Sequence, residues 1–217
     1  MSFLILDLET ECHEYYGNLA SPFHPENYIV APGWALDAGD VQYEYFTNKA
    51  EADSSDWFDR AISTATILVA HNATFEIQWL LHRHYDAFTG FLKRGGRVYC
   101  TQLAEYLLQH QTETYASLED TAQRYGGTKK VDEVKLLWEQ GALTSQIDKD
   151  LLIRYLAGPE GDIENTRKVC FGQWPKLEQQ GMLQMFWERM DALVFNAFCV
   201  FNGLHVDRAI ADKNHKE

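Results

Sequence analysis

The sequence predicts an α/β domain in which a mixed central sheet is flanked by helices. Two short apolar runs, residues 3–6 (FLIL) and 66–70 (TILVA), are typical of strands that are buried on both faces. In other segments apolar residues recur every three or four positions, which is the spacing of amphipathic helices. Strands come first, helices dominate the second half, and no internal repeat occurs. One domain is the economical interpretation.

The composition is that of an ordinary globular protein. The chain has 217 residues, of which 46% are hydrophobic and 24% charged, enough for one well-filled core. Its formal net charge of -13 argues against a protein that binds nucleic acid through an overall positive charge. An enzyme that touches a few nucleotides through metal ions is compatible with that charge.

The cysteine spacing and the hydropathy of the chain indicate the cellular compartment in which the protein is expected. The cysteines are widely scattered at positions 12, 100, 170 and 199 and form no C-x-x-C pair. This pattern disfavours a zinc site and favours a reduced, intracellular setting. No run of 18 apolar residues occurs and the chain starts directly in a predicted strand, so we expect neither a membrane span nor a signal peptide.

Four further extended pieces are predicted outside the two apolar runs. Gly39-Asp40 is a hairpin turn signal, and three prolines interrupt the preceding loop. The predicted extended pieces are residues 28–30, 33–38, 41–46 and 97–100.

The helices are delimited by caps and breakers. Ser117 and Asp120 resemble a capping box, and Gly158-Pro159 must end a helix because proline lacks an amide hydrogen. The predicted helices are residues 56–64, 75–85, 101–109, 117–126, 131–140, 148–157, 162–179 and 183–201, with a weak helix start in the C-terminal tail.

Two carboxylates emerge together where the first strand ends. Asp7 and Glu9 are two residues apart, so in an extended chain they point to the same side. Paired like charges repel unless a cation lies between them, and Mg²⁺ prefers such oxygens. The other interpretation of this pair is a solvated acidic turn.

Two further acids follow structural breaks. Glu76 lies in the first turn of the helix after the second apolar strand, and Asp162 directly follows the loop of residues 158–161. Four converging carboxylates would hold two divalent ions. Such ions, about 4 Å apart, bind both the attacking water and the leaving oxygen of a phosphodiester.

Three segments resemble the motifs of the DEDD 3′–5′ exonuclease superfamily. They are residues 6–10 (LDLET), residues 71–76 (HNATFE), and Tyr155 with residues 162–166 (DIENT). Order and separation agree over most of the chain, and the resemblance implies an RNase H-like fold.

The tail, residues 202–207 (NGLHVD), resembles the junction between exonuclease and polymerase domains in bacteriophage family A DNA polymerases. The predicted organisation is therefore an exonuclease domain over residues 1–201 and, over residues 202–217, the start of a junction towards a missing polymerase domain.

The resemblance also implies metal-binding roles. Asp7, Glu9 and Asp162 would ligate the tightly bound metal ion, with Asp7 bridging to a second ion. Glu76, which is one methylene longer than the family's usual aspartate, would help to hold the second ion. Tyr155 would orient the nucleophilic water. Here the chain departs from the family, because six residues separate Tyr155 from Asp162 where three are usual.

Substrate contacts are expected from residues beside these acids. Leu8 and Thr10 would flank the scissile end. Asn72 is either a helix N-cap or a substrate contact, and Phe75 is either a core residue or a platform for a base. The same choice holds for Asp162, as N-cap or ligand or both, and for Tyr155, as core or catalytic residue.

The basic residues are few. Lys129 and Lys130 form either a solvated face or a contact to backbone phosphates.

The function that the resemblance implies is a 3′–5′ exonuclease that removes nucleotides from 3′ ends of single-stranded DNA with two Mg²⁺ or Mn²⁺ ions, as the proofreading domain of a DNA polymerase. Two alternatives are open: a nuclease that trims RNA or oligonucleotides, and a catalytically silent domain that binds DNA or a polymerase partner. The cytoplasm, of the host cell if the protein is viral, is the expected location.

Overall fold

A mixed sheet forms the centre of the part of the chain that the computed structural model describes, residues 1–128 and 132–215. Within these residues the sheet has five strands in the order β3-β2-β1-β4-β5. The first strand is central: it pairs antiparallel with β2 and parallel with β4. The strands are β1 (Phe3–Thr10), β2 (Ile29–Leu36), β3 (Gln42–Tyr43), β4 (Ile67–Ala70) and β5 (Arg97–Cys100).

Helices flank this sheet, so the predicted α/β class with a mixed sheet is confirmed. They are α1 (Lys49–Ser54), α2 (Trp57–Ile62), α3 (Thr74–Arg83), α4 (Tyr85–Lys93), α5 (Thr101–Leu108), α6 (Leu118–Gln123), α7 (Asp132–Glu139), α8 (Lys149–Ala157), α9 (Asp162–Gln179), α10 (Leu183–Asn202) and α11 (Arg208–His215). No helix among the described residues combines the length and hydropathy that a membrane crossing requires.

The central strand is longer than its apolar run. Leu4, Ile5 and Leu6 are fully buried, as a strand with helices on both faces demands. The strand then continues through both acids to Thr10, because β2 keeps pairing with it, Asp7 opposite Gly33 and Glu9 opposite Ala31. Both carboxylates are therefore fixed on a strand and not on a mobile turn.

The predicted hairpin differs in its bounds. The strand β2 begins at Ile29 and runs through Pro32, which lies opposite Leu8. Proline lacks only the backbone N–H donor, so the strand can continue through it. The Pro32 carbonyl still accepts a hydrogen bond from the amide of Glu44 at 3.1 Å. The predicted strand 41–46 contracts to β3, which has two residues.

Two helices differ from the sequence prediction. The expected helix over residues 75–85 is α3, and a second helix, α4, follows it after His84, whose φ of -132° lies outside the helical range. The short α1 was not predicted; Asn48 caps it by accepting a hydrogen bond from the amide of Glu51. Residues 129–131, which hold Lys129 and Lys130 and the predicted start of α7, lie outside the described residues.

A buried polar network fixes the long helix α9 against α5 and α6. The Glu105 carboxylate, 4% exposed, accepts hydrogen bonds from Arg124 Nη1 at 2.9 Å, the Tyr125 hydroxyl at 2.7 Å and Gln173 Nε2 at 2.9 Å. Buried polar groups are stable only when they have hydrogen-bond partners, so this network fixes the position of α9 relative to α5 and α6. The first residue of α9 is Asp162.

Candidate metal centre

Three of the predicted acids meet at one point. Asp7, Glu9 and Asp162 each offer a carboxylate oxygen, and these oxygens lie within 4.8 Å of one another. Glu9 and Asp162 are 6% and 4% exposed, and Asp7 is half-buried. Alternation along β1 brings the first two to one face, and the N-terminus of α9 brings the third. The cluster has the hard oxygen donors that Mg²⁺ and Mn²⁺ prefer.

Glu76 faces the same cluster from the first turn of α3. Its side chain is 2% exposed, and within the described part of the chain its Oε2 has no hydrogen-bond partner. Burial raises the pKa of the Glu76 carboxyl well above its usual range, and the carboxylates of Asp7, Glu9 and Asp162 add to this rise. A buried acid in this condition needs a proton or a cation, so the donor set fits a divalent ion.

The third motif is interrupted by a tight turn. The helix α8 ends at Ala157 and α9 begins at Asp162, as predicted. The amide of Gly161 donates to the carbonyl of Gly158 at 2.9 Å. A Cβ on Gly161 would lie 2.7 Å from the Leu156 carbonyl oxygen and 2.8 Å from that of Tyr155. Only glycine therefore lets the turn close onto the end of α8 and bring Asp162 back towards the sheet.

Tyr155 is 8% exposed and packs edge-on against Trp138, with ring centroids 5.7 Å apart and an interplanar angle of 85°. This contact helps to hold the ring in position. The water-orienting role of its hydroxyl stays a prediction.

Neither predicted N-cap role is adopted. The N-cap of α3 is Ala73 and not Asn72, and the N-cap of α9 is Gly161 and not Asp162. Asn72 instead has a left-handed φ of 62°, a conformation that asparagine tolerates, and its side chain is exposed. His71 is used structurally: its Nδ1 lies 2.8 Å from Thr101 Oγ1 and its Nε2 lies 3.2 Å from the Ala116 carbonyl oxygen.

Two neighbouring cavities share lining residues here, and Glu9 lines the first of them. The first, the Trp138 cavity, has a volume of about 430 Å³ and is lined by Leu8, Glu9, Thr10, Phe75 and Trp138. The second, the Tyr15 cavity, has a volume of about 540 Å³ and is lined by Tyr15, Tyr16, Phe23, Asn72 and Phe75. All four predicted substrate contacts, Leu8, Thr10, Asn72 and Phe75, therefore line one or both cavities.

The sequence analysis missed the aromatic walls of these cavities. Trp138 lies on a surface helix, and Tyr15 and Tyr16 lie in the irregular segment after β1. The one available signal was the aromatic pair Tyr15-Tyr16 in a loop, where aromatic residues have no core to fill.

Replacing Glu76 by glutamine tests the electrostatics of the cluster. In excess chelator, Glu76→Gln is expected to raise the thermal unfolding midpoint by about 2–6 °C, because the Glu76 carboxyl is buried at a cost, by taking up a proton or by carrying a charge beside three acids, and glutamine avoids that cost. In millimolar Mg²⁺ the wild type should regain most of this difference, since its carboxylate then faces a cation.

Scanning calorimetry in both buffers measures the effect, with the exposed Glu139→Gln as the control. Equal midpoints for Glu76→Gln and wild type in chelator would contradict a strained acidic cluster.

Comparisons with known proteins identify the fold. No protein-family model matches the chain, and no curated protein sequence matches it. Solved structures do. A structure described as the apo form of the nuclease matches with a TM-score of 0.66 and 14% identity, covering 93% of this chain and 84% of the other.

NrnC of Brucella melitensis with bound Mg²⁺ matches with a TM-score of 0.67 and 12% identity, over 93% of this chain and 86% of the other. The same protein bound to pGG matches with a TM-score of 0.64 and 12% identity, over 93% and 85%. At these identities the likeness is one of fold: the chain has the RNase H-like nuclease fold that the motifs implied.

Proposed function

We propose that this chain is a divalent-metal-dependent exonuclease of the DEDD type that trims short oligonucleotides. The observation that carries the proposal is the convergence of Asp7, Glu9 and Asp162, whose oxygens lie within 4.8 Å of one another, with Glu76 buried beside them. The match to nuclease structures, one of which holds Mg²⁺, supports the same chemistry.

In this proposal Asp7, Glu9 and Asp162 hold one divalent ion, and Asp7 and Glu76 face a second. A pair of such ions, when bound, supplies positive charge that activates the attacking water and offsets charge on the leaving oxygen. The rigid strand β1 holds two of the ligands in fixed geometry, so little reorganisation is needed when substrate arrives. Tyr155 is assigned to orient the water, and the polarity of attack is 3′–5′.

The choice of substrate follows from the surroundings of the acids. Neither cavity is lined by lysine or arginine within the described residues, so no basic groove tracks a long strand there. The likeness to a structure bound to pGG also favours oligonucleotide trimming over the proofreading role that the sequence alone suggested.

A proofreading exonuclease attached to a polymerase domain is the second candidate. It would comprise residues 1–201, with 202–217 as the start of the junction. Its specific support is the uninterrupted exposure of residues 202–215, including α11, whose side chains contribute nothing to the core.

A length series tests the proposal. RNA and DNA of identical sequence, two to twenty nucleotides long and labelled at the 5′ end, would be incubated with the protein in Mg²⁺, Mn²⁺, Ca²⁺ or excess chelator. We expect the shortest substrates to be consumed at the highest kcat/KM in Mg²⁺ or Mn²⁺, with no turnover in Ca²⁺ or chelator, because Ca²⁺ has looser coordination geometry.

Each other outcome has a distinct meaning. Undiminished hydrolysis in chelator would refute the metal mechanism. A preference for the twenty-nucleotide DNA would favour proofreading. If no substrate is turned over, the alternative of a catalytically silent domain that only binds nucleic acid or a partner would be favoured.

A further inference from the structure

The segment between β1 and β2 builds a wall that separates the two cavities. Leu19, Ala20 and Phe75 line both cavities. The Trp138 cavity on one side includes the proposed ligand Glu9 in its lining. The Tyr15 cavity on the other side is formed mainly by the segment itself, residues 15–23, together with Asn72 and Gln78. The two cavities are therefore neighbouring compartments that share one apolar partition.

This segment is held in a defined conformation by hydrogen bonds to a buried asparagine. Asn27, which is fully buried, accepts a hydrogen bond from the amide of His13 at 2.9 Å. Its Nδ2 donates to the carbonyls of His13 at 3.0 Å and Ser21 at 2.9 Å. From α3, Arg83 Nη2 donates to the Asn27 carbonyl at 3.0 Å. Both ends of the segment are thus tied to one buried amide.

The tip of the segment is a tight turn that presents aromatic rings. The amide of Tyr15 donates to the carbonyl of Asn18 at 2.9 Å, and the amide of Asn18 donates back at 3.0 Å. Tyr16 and Gly17 between them have φ values of 49° and 79°. A left-handed tyrosine is unfavourable, and here it holds a side chain that is 88% exposed. Its ring meets that of Tyr15 edge-on at 4.6 Å.

We infer that the Tyr15 cavity takes the nucleoside next to the one that is released, and that the Tyr15–Tyr16 pair holds its base, with one ring stacked on the face of the base and the perpendicular ring at its edge. This inference rests on the proposed function. The released nucleoside occupies the Trp138 cavity, which Glu9 lines, and the scissile phosphate lies at Asp7, Glu9 and Asp162. The partition of Leu19, Ala20 and Phe75 then lies between the two bases. The substrate class is a nucleic-acid end with two bases, each in its own compartment.

The chemistry of the Tyr15 cavity supports a base as its occupant. Its lining combines aromatic, aliphatic and uncharged polar side chains, and within the described residues it contains no charged side chain. Such a surface suits the face of a nucleobase and offers nothing to a free phosphate. Stacking tolerates every base, so the compartment selects for the presence of a second base and not for its identity.

Substrates that lack the second base separate this compartment from the metal centre. We would compare the thymidine dinucleotide with a dinucleotide whose non-released residue is an abasic deoxyribose, in Mg²⁺. For the wild type, kcat/KM should be about 5- to 150-fold higher with the base present, which is the range of one stacking interaction. In Tyr15→Ala/Tyr16→Ala this ratio should fall to near one, while hydrolysis of the abasic substrate stays at the wild-type rate.

Two matched variants complete the test. Tyr15→Phe/Tyr16→Phe keeps both rings and should keep the ratio. Tyr106→Ala/Tyr115→Ala removes another tyrosine pair, whose centroids are also 4.6 Å apart, from outside both cavities, and should keep it too. A wild-type ratio of one, or equal losses on both substrates in the double alanine variant, would overturn the inference. If the wild type hydrolyses neither dinucleotide, the proposed function itself fails.

Discussion

Asp7→Asn should abolish hydrolysis, with a loss in kcat on the order of 10³-fold or more, while the fold is kept. Asp7 is the proposed bridging residue, and its oxygen lies within 4.8 Å of those of Glu9 and Asp162. Asparagine has the same shape but carries no charge and offers one oxygen. The strand around it depends on Leu4, Ile5 and Leu6, which the substitution leaves untouched.

The measurement is single-turnover hydrolysis of a dinucleotide in saturating Mg²⁺, beside calorimetry in chelator. Without metal, Asp7→Asn should unfold at or above the wild-type midpoint, because it removes one of several like charges. Asp40→Asn, at an exposed turn position, serves as the control and should keep full activity. An Asp7→Asn enzyme with a tenth of the wild-type rate would place the ligand set elsewhere.

The central strand and its acids were predictable because they depend on local rules. An apolar run of four residues followed by acids at alternate positions can be placed with no knowledge of tertiary contacts. The same holds for Asp162, since Gly158-Pro159 ends one helix wherever it packs. Glu76 was a candidate because it follows the second apolar strand, and the family resemblance then supported its convergence with the other three acids.

The compartments around the acids could not be predicted in this way. They depend on how an irregular segment folds back, which is decided by contacts distant in sequence, such as Arg83 to the Asn27 carbonyl. Trp138 is a further example: its Nε1 donates to Thr144 Oγ1 at 3.1 Å, and Thr144 in turn donates to the Thr10 carbonyl at 2.7 Å. Nothing in the spacing of these residues indicates that α7 contacts the strand of the acids.

The third motif was predictable only in part. The turn of residues 158–161 was expected from its glycines and proline, but where this turn places Asp162 depends on packing. Because Gly161 lies against the Tyr155 carbonyl, the extra residues close into a turn and do not move Asp162 away from β1. The family spacing is lost in sequence, and yet Asp162 meets Asp7 and Glu9. The Tyr155 ring, at the end of α8, packs against Trp138.

Asp162→Asn is therefore expected to match Asp7→Asn, with a loss on the order of 10³-fold, whereas Tyr155→Phe should lose only about 10–100-fold. Removing the tyrosine hydroxyl leaves the ring and its contact with Trp138 in place, and it takes away the group that is proposed to orient the water. The measurement is kcat with a dinucleotide for both variants, and Asp150→Asn on the exposed side of α8 is the control. A Tyr155→Phe enzyme with the wild-type rate would show that another group orients the water. An active Asp162→Asn enzyme would refute the assignment of the third metal ligand. The acids at the start of α8 are poor replacements: Asp148 caps α8 by accepting a hydrogen bond from the Leu151 amide at 3.0 Å, and Asp150 is exposed. Neither could become a ligand unless that end of α8 refolded.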